Sequence, residues 1–164
     1  MPTAEIDLLL HLLDTSYERQ AWHGPNLRGS LRGVTPATAA WRPGPGRRNI
    51  WEIAVHAAYW KYTVRRRLLG EPRGSFSLAG SNWFPRPKDV TAAAWRADLN
   101  LLAQAHRALR EAVAGLRPSD LGRRAGGSRF TNRDLIAGIA AHDVYHAGQI
   151  QLLKRLARQA GKPG

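Results

Sequence analysis

The chain has 164 residues, the length of one domain, with 25 Lys and Arg against 12 Asp and Glu for a formal charge of +13, and no cysteine. The missing cysteines exclude disulfides, thiolate metal sites and a cysteine nucleophile, so any transition-metal site must draw on His, Asp or Glu. No apolar run approaches the roughly 18 residues of a membrane span, and the N-terminus lacks the basic-then-apolar order of a signal peptide, which predicts a cytoplasmic protein.

From residue 3 to about residue 23, Ile6, Leu9, Leu10, Leu13 and Tyr17 recur at helical spacing. Thr3 is placed to cap this helix, Glu5 and Asp7 fall in its first turns, and Gly24-Pro25 is its expected stop. Two short helical turns follow in the expectation. One starts at Pro25 and carries Leu27 and Leu31; the other runs from Thr35-Pro36 to Trp41, ahead of the Pro43-Gly44-Pro45-Gly46 breaker.

The second long helix opens at Asn49, with Glu52 three residues on to complete a capping box, and ends at Gly70. Its spacing turns Ile53, His56, Ala57, Trp60, Val64 and Leu68 inward and Lys61, Arg65 and Arg66 outward. Residues 71–90 are rich in Pro, Gly and Ser yet carry Phe76, Trp83 and Phe84. So long a connection is expected to cross over the domain and pack on it.

The third long helix, from a cap at Thr91 to about Leu116, shows a four-three alternation at Trp95, Leu99, Leu102, His106, Leu109, Val113 and Leu116. The fourth, capped by Thr131 with Asp134 three residues on, repeats it at Leu135, Ile139, His142, His146, Gln149, Leu153 and Leu156. No segment alternates with period two, so residues 1–164 read as a single all-α domain, a four-helix bundle. At 1.5 Å per residue, His56 lies about 10 Å into its helix and the His142–His146 midpoint about 20 Å into a helix of about 40 Å. Their levels agree best if the second and fourth helices run antiparallel, which makes the second and third parallel and residues 71–90 the crossover.

His142 and His146, four residues apart, share one helix face, and His56 sits on the inward face of another helix. Burying imidazoles in a seam costs free energy unless each ring nitrogen finds a partner, and a metal satisfies one nitrogen on each ring at once. The competing account is a set of core histidines bonded to one another or to Gln149.

The run Ala141-His142-Asp143-Val144-Tyr145-His146-Ala147-Gly148-Gln149-Ile150, with Asn49-Ile50-Trp51-Glu52-Ile53-Ala54-Val55-His56 and the Trp41-Arg42-Pro43 approach, resembles the DinB/YfiT-like superfamily over nearly the whole chain. That resemblance implies an up-down-down-up four-helix bundle with its long crossover between the second and third helices. It implies a divalent metal, commonly zinc, nickel or iron, on side chains equivalent to His56, His142 and His146. Some relatives have a glutamate at one of these positions; here all three are histidine. Characterised members are similar to transferases and isomerases that use bacillithiol or mycothiol, and homodimers are common among them. The expectation is therefore a metal-dependent thiol transferase or hydrolase acting on a small molecule, working as a homodimer. The alternative, prompted by the charge, is a basic helical nucleic-acid-binding module with a structural metal or none; the arginines are scattered instead of forming one stripe, which argues against it.

Other side chains carry weaker readings. Glu52 is a cap before it is a base, Gln149 is a partner to His146 before it is a ligand, and Tyr59 and Tyr145 are packing aromatics. His106 reads as a satisfied core histidine and His11 as surface. Trp22-His23 lies at the helix end nearer His56, where it would line a pocket mouth or simply end the helix.

Overall fold

Of the side-chain caps read from the sequence, those at Asn49, Thr91 and Thr131 are closed in the computed structural model, which describes residues 3–126 and 128–161, and Thr35 closes a further one. The helices are α1 (Ala4–Tyr17), α2 (Leu27–Leu31), α3 (Pro36–Ala40), α4 (Ile50–Leu69), α5 (Ala92–Ala114) and α6 (Asn132–Ala160), with a 3-10 turn at Pro118–Asp120. Thr35 Oγ1 accepts the Thr38 N–H at 3.2 Å and Thr91 Oγ1 the Ala94 N–H at 3.1 Å. Asn49 with Glu52, and Thr131 with Asp134, form the reciprocal capping boxes of α4 and α6. Gly70 ends α4 in the left-handed conformation, φ 68°, which a glycine adopts without steric cost. No strand occurs among the described residues; an isolated bridge joins Arg124 to Thr131. The chain is all-α.

Two expectations are corrected at the ends of α1. The helix stops at Tyr17, not near His23, because the N–H groups of Glu18 and Arg19 both turn onto the Asp14 carbonyl, at 2.9 and 2.8 Å, and only the small Ala21 follows at helical spacing to hold another turn. Thr3 stands at the N-cap with extended backbone, yet its hydroxyl makes no capping bond.

The apolar faces meet in two clusters. One gathers Trp51, Ile53, Val55, Leu27, Trp95, Leu102 and Ile150; the other gathers Ile6, Leu9, Leu13, Val64, Leu109, Val113 and Ile136. A buried polar level runs through α4, α5 and α6, carrying His56 and Lys61 on α4, His106 on α5, and Asp143 and His146 on α6. Lys61 overturns its expected outward position: it is fully buried, its ammonium paired with the buried Asp143 carboxylate and 3.3 Å from His106 Nδ1.

Cross-helix pairs show how the long helices lie against one another. Early in α4 and α5, Trp51 donates its indole N–H to Asp98 at 2.6 Å and packs on Trp95; later in both, Lys61 meets His106. Late α1 meets late α5 through Asp14 and Arg110, and early α1 meets early α6 through Glu5 and Arg133. Residues 71–90 pack down as expected. Phe84 enters the first cluster, while Phe76, Leu78 and Trp83 lie half-buried on it and Tyr59 joins the rings of Phe76 and Phe84.

Candidate metal centre

The capping box at Asn49 sets the phase of α4, and that phase carries His56 to the inner face, where α6 presents His142 and His146 one turn apart. The three Nε2 atoms converge: His56 to His142 is 3.1 Å, His142 to His146 is 3.1 Å, and all three lie within 4.8 Å of one another. Among the described residues these are the one cluster of possible ligands.

Proton accounting on the rings decides what that convergence means. The Asn82 carbonyl, 2.8 Å from His56 Nδ1, can only accept, so Nδ1 carries the proton and Nε2 a lone pair. Gln149 Oε1 fixes His146 the same way at 2.7 Å. Both lone pairs face His142 Nε2, which has at most one proton to donate, so one of them is left facing nitrogen with nothing between. A divalent ion resolves the conflict. With metal–nitrogen bonds of about 2.1 Å, ligand nitrogens at right angles stand about 3.0 Å apart, close to the two short separations observed. His142 Nδ1 is buried without a partner in either case.

Burial keeps the rings neutral, the protonation state a ligand needs. It pushes His56 down to about 4 and His142 down to about 3, and lowers His146 as well, with the neighbouring histidines adding to the depression at His56 and His142. Three neutral imidazoles leave a bound ion its full charge and at least one coordination position open.

The surrounding shell comes largely from the crossover. Trp83 stacks flat on His56, ring centroids 3.8 Å apart and planes 8° from parallel, and the Arg48 guanidinium lies over the Trp83 ring, 4.6 Å from its centroid. Asn82 sits at φ 63°, a left-handed conformation that asparagine tolerates better than most residues, and from there it meets two groups at once. Its carbonyl holds His56, and its side-chain oxygen accepts the Trp60 indole N–H at 2.9 Å.

Sequence reasoning missed Asn82, Lys61 and Asp143. A signal existed for the buried pair: Lys61 stands three or four residues from Ala57, Ala58 and Val64, and Asp143 stands four from Ile139 and Ala147, all buried. For Asn82 there was none, since a loop residue's partners follow from the path of the loop.

The remaining expectations sort cleanly. Gln149 orients His146. Glu52 is committed to capping and to a two-pronged ion pair with Arg42, at 2.8 and 2.9 Å, and stays outside the cluster. His106 is buried and stacked on Tyr17, bonded at Nδ1 but unpartnered at Nε2, so it is a core histidine only half satisfied. Tyr59 packs among aromatics, whereas Tyr145, expected to pack, is 64% exposed with its ring edge toward His146. His11 and His23 are exposed, and the Trp22-His23 segment is not part of the ligand cluster.

No curated protein and no solved structure matches the chain. The sequence profile of the DinB superfamily matches residues 20–150, a span that contains His56, His142 and His146 together with the crossover that holds His56. With that match covering most of its length, the chain belongs to the DinB superfamily.

Proposed function

We propose that this protein is a metal-dependent enzyme that transfers a low-molecular-weight thiol of the bacillithiol or mycothiol type to an electrophilic small molecule, or hydrolyses such a molecule, with His56, His142 and His146 holding the ion. The observation that carries this reading is the pair of fixed Nε2 lone pairs directed at a third imidazole nitrogen, 3.1 Å away in each case. Neutral imidazole donors suit zinc, nickel or iron. A divalent ion bound there supplies Lewis-acid charge, which lowers the pKa of a coordinated water or thiol and polarises a carbonyl. The protein's own part is positional. Asn82 and Gln149 hold two rings in the ligating tautomer, and Trp83 covers one face of His56 against water.

The same reading includes an up-down-down-up path for α1, α4, α5 and α6, supported by the pairing of α4 with α5 in the same order, Trp51 with Asp98 and Lys61 with His106, and by the reverse order along α4 and α6, where Ile53 shares a cluster with Ile150 while Val64 and Arg67 line a groove with Leu135 and Asp134. It also includes a cytoplasmic homodimer. Leu8 and Leu12 on α1, and Val144 and Leu152 on α6, which packs against α1, leave large apolar side chains in solvent.

Metal analysis of protein purified without a histidine tag tests the centre. The parent is expected to hold about one ion per chain, and His56→Ala and His142→Ala are expected to lose most of it. Equal metal in parent and variants would remove the triad. Turnover with low-molecular-weight thiols and electrophiles that needs the metal tests the reaction.

A further inference from the structure

An apolar groove leaves the histidine cluster along α4 and α6. His142 and Trp60 close one end; Val64, Leu135 and Ile139 form the walls; Arg67 stands two turns further along α4 at the other end. The cavity is about 360 Å³, at the lower end of the range of small-molecule sites. At about 30 Å³ per non-hydrogen atom, as in liquid water, it accepts a body of about a dozen such atoms. The seven residues from Trp60 to Arg67 make it about 10 Å long.

Its floor is open because position 138 is glycine: a β-carbon placed there meets nothing within 4 Å. Its charge is confined to one end. The Arg67 guanidinium makes no hydrogen bond or ion pair among the described residues. Asp134 lines the same end, but its carboxylate already accepts the Thr131 N–H and hydroxyl at 2.9 and 2.7 Å, and Arg133 stands beside it. The groove thus offers a dry middle, an unpaired cation at the far end, and the ligand histidine at the near end.

We propose that this groove is the substrate site and that it takes a monocarboxylate with an apolar chain or ring about 10 Å long, the carboxylate on Arg67 and the opposite, reactive end against His142. Assigning the reactive end rests on the metal reading of the triad; the choice of an apolar carboxylate rests on the groove alone. A guanidinium binds a carboxylate through two parallel N–H donors, and the apolar walls reward every methylene withdrawn from water.

Octanoate and 1-octanol, matched in length and differing in charge, are the probes, titrated by calorimetry into zinc-loaded and metal-stripped protein. Octanoate is expected to bind saturably to both forms and more tightly than octanol. Arg67→Gln is expected to weaken octanoate about tenfold, the loss of a charge-assisted bond, and to leave octanol unchanged. Gly138→Leu, which fills the floor, is expected to abolish binding of both probes while metal content and helicity stay at parental values. Octanoate that binds equally well to Gly138→Leu, or that needs the metal and ignores Arg67→Gln, would overturn the proposal. A full metal complement with no saturable octanoate binding would overturn it too and leave the metal centre standing. Octanoate binding that depends on Arg67 and Gly138 in a protein that takes up no metal would uphold the groove and remove the metal centre.

Discussion

Lys61→Met is the substitution for which the structure predicts the largest stability loss per atom removed. Lys61 and Asp143 are both fully buried, and the ammonium is the one partner of a carboxylate whose Oδ1 already lacks a hydrogen bond. Methionine fills nearly the same volume, so the change removes a charge without opening a large cavity. Breaking one half of a buried pair costs about 3–5 kcal/mol, because the surviving charge stays desolvated. His106 Nδ1 loses its donor in the same step.

The cost carries a pH signature. Burial already pushes the Asp143 carboxyl up, and Lys61 opposes that shift through its charge and hydrogen bond; without Lys61 the folded pKa rises further above its unfolded value. A raised folded pKa means that stability is kept at low pH and lost as pH rises, at about 1.4 kcal/mol per pH unit across the window between the two values. In urea unfolding of metal-stripped protein, Lys61→Met is expected to be about 4 kcal/mol less stable than the parent at pH 8 and under about 2 kcal/mol less stable at pH 5. Lys61→Met combined with Asp143→Leu should return to within about 1 kcal/mol of the parent, since an apolar pair of similar volume replaces the charges. A single variant within about 1 kcal/mol of the parent at pH 8, or a double variant weaker than the single, would refute this account of the polar level.

Asn82→Gly keeps the backbone carbonyl on His56 and the left-handed conformation, whereas Asn82→Val forces the backbone out of it. Competition with a chelator should therefore show zinc affinity nearly unchanged in the first and about 10–100-fold weaker in the second, and equal losses would deny the carbonyl its role. Burial holds His106 down to about 3, so the unfolded chain takes up its proton first, near 6.5, and stability falls as pH drops through that window. His106→Phe should make the decline between pH 6.5 and 4.5 in metal-stripped protein shallower by about 1.4 kcal/mol per pH unit, the share of one proton, with the triad histidines keeping the rest; an unchanged slope would place the titration elsewhere. Sedimentation should give twice the monomer mass for the parent at micromolar concentrations and the monomer mass for Leu152→Glu; a monomeric parent would remove the dimer. Native proteolysis should spare residues 71–90, because Phe84 is buried and Asn82 and Trp83 are bound to α4, and rapid cutting there would contradict that packing.

Local chemistry is enough to place the long helices, since a cap, an apolar stripe and a terminal glycine act within a few residues of one another, and Asn49, Thr91 and Thr131 all begin helices where their side chains say they should. The convergence of the three histidines was legible for the same reason: two of them share one helical turn, and the third sits on a stripe whose phase its own helix declares. The length of α1 was not legible, because Gly24-Pro25 marks where a helix must have ended, not where its last apolar anchor, Tyr17, lets it go. The side of Lys61 was legible only in part: its spacing from Ala57, Ala58 and Val64 hinted at burial, but not at a partner. A lysine on the flank of a stripe faces water unless another element brings it a buried anion, and Asp143 arrives from a helix more than eighty residues away. The shell around His56 and the groove toward Arg67 belong to the tertiary structure alone. They depend on how the crossover descends and how far apart α4 and α6 stand, and no spacing within a single helix encodes either distance.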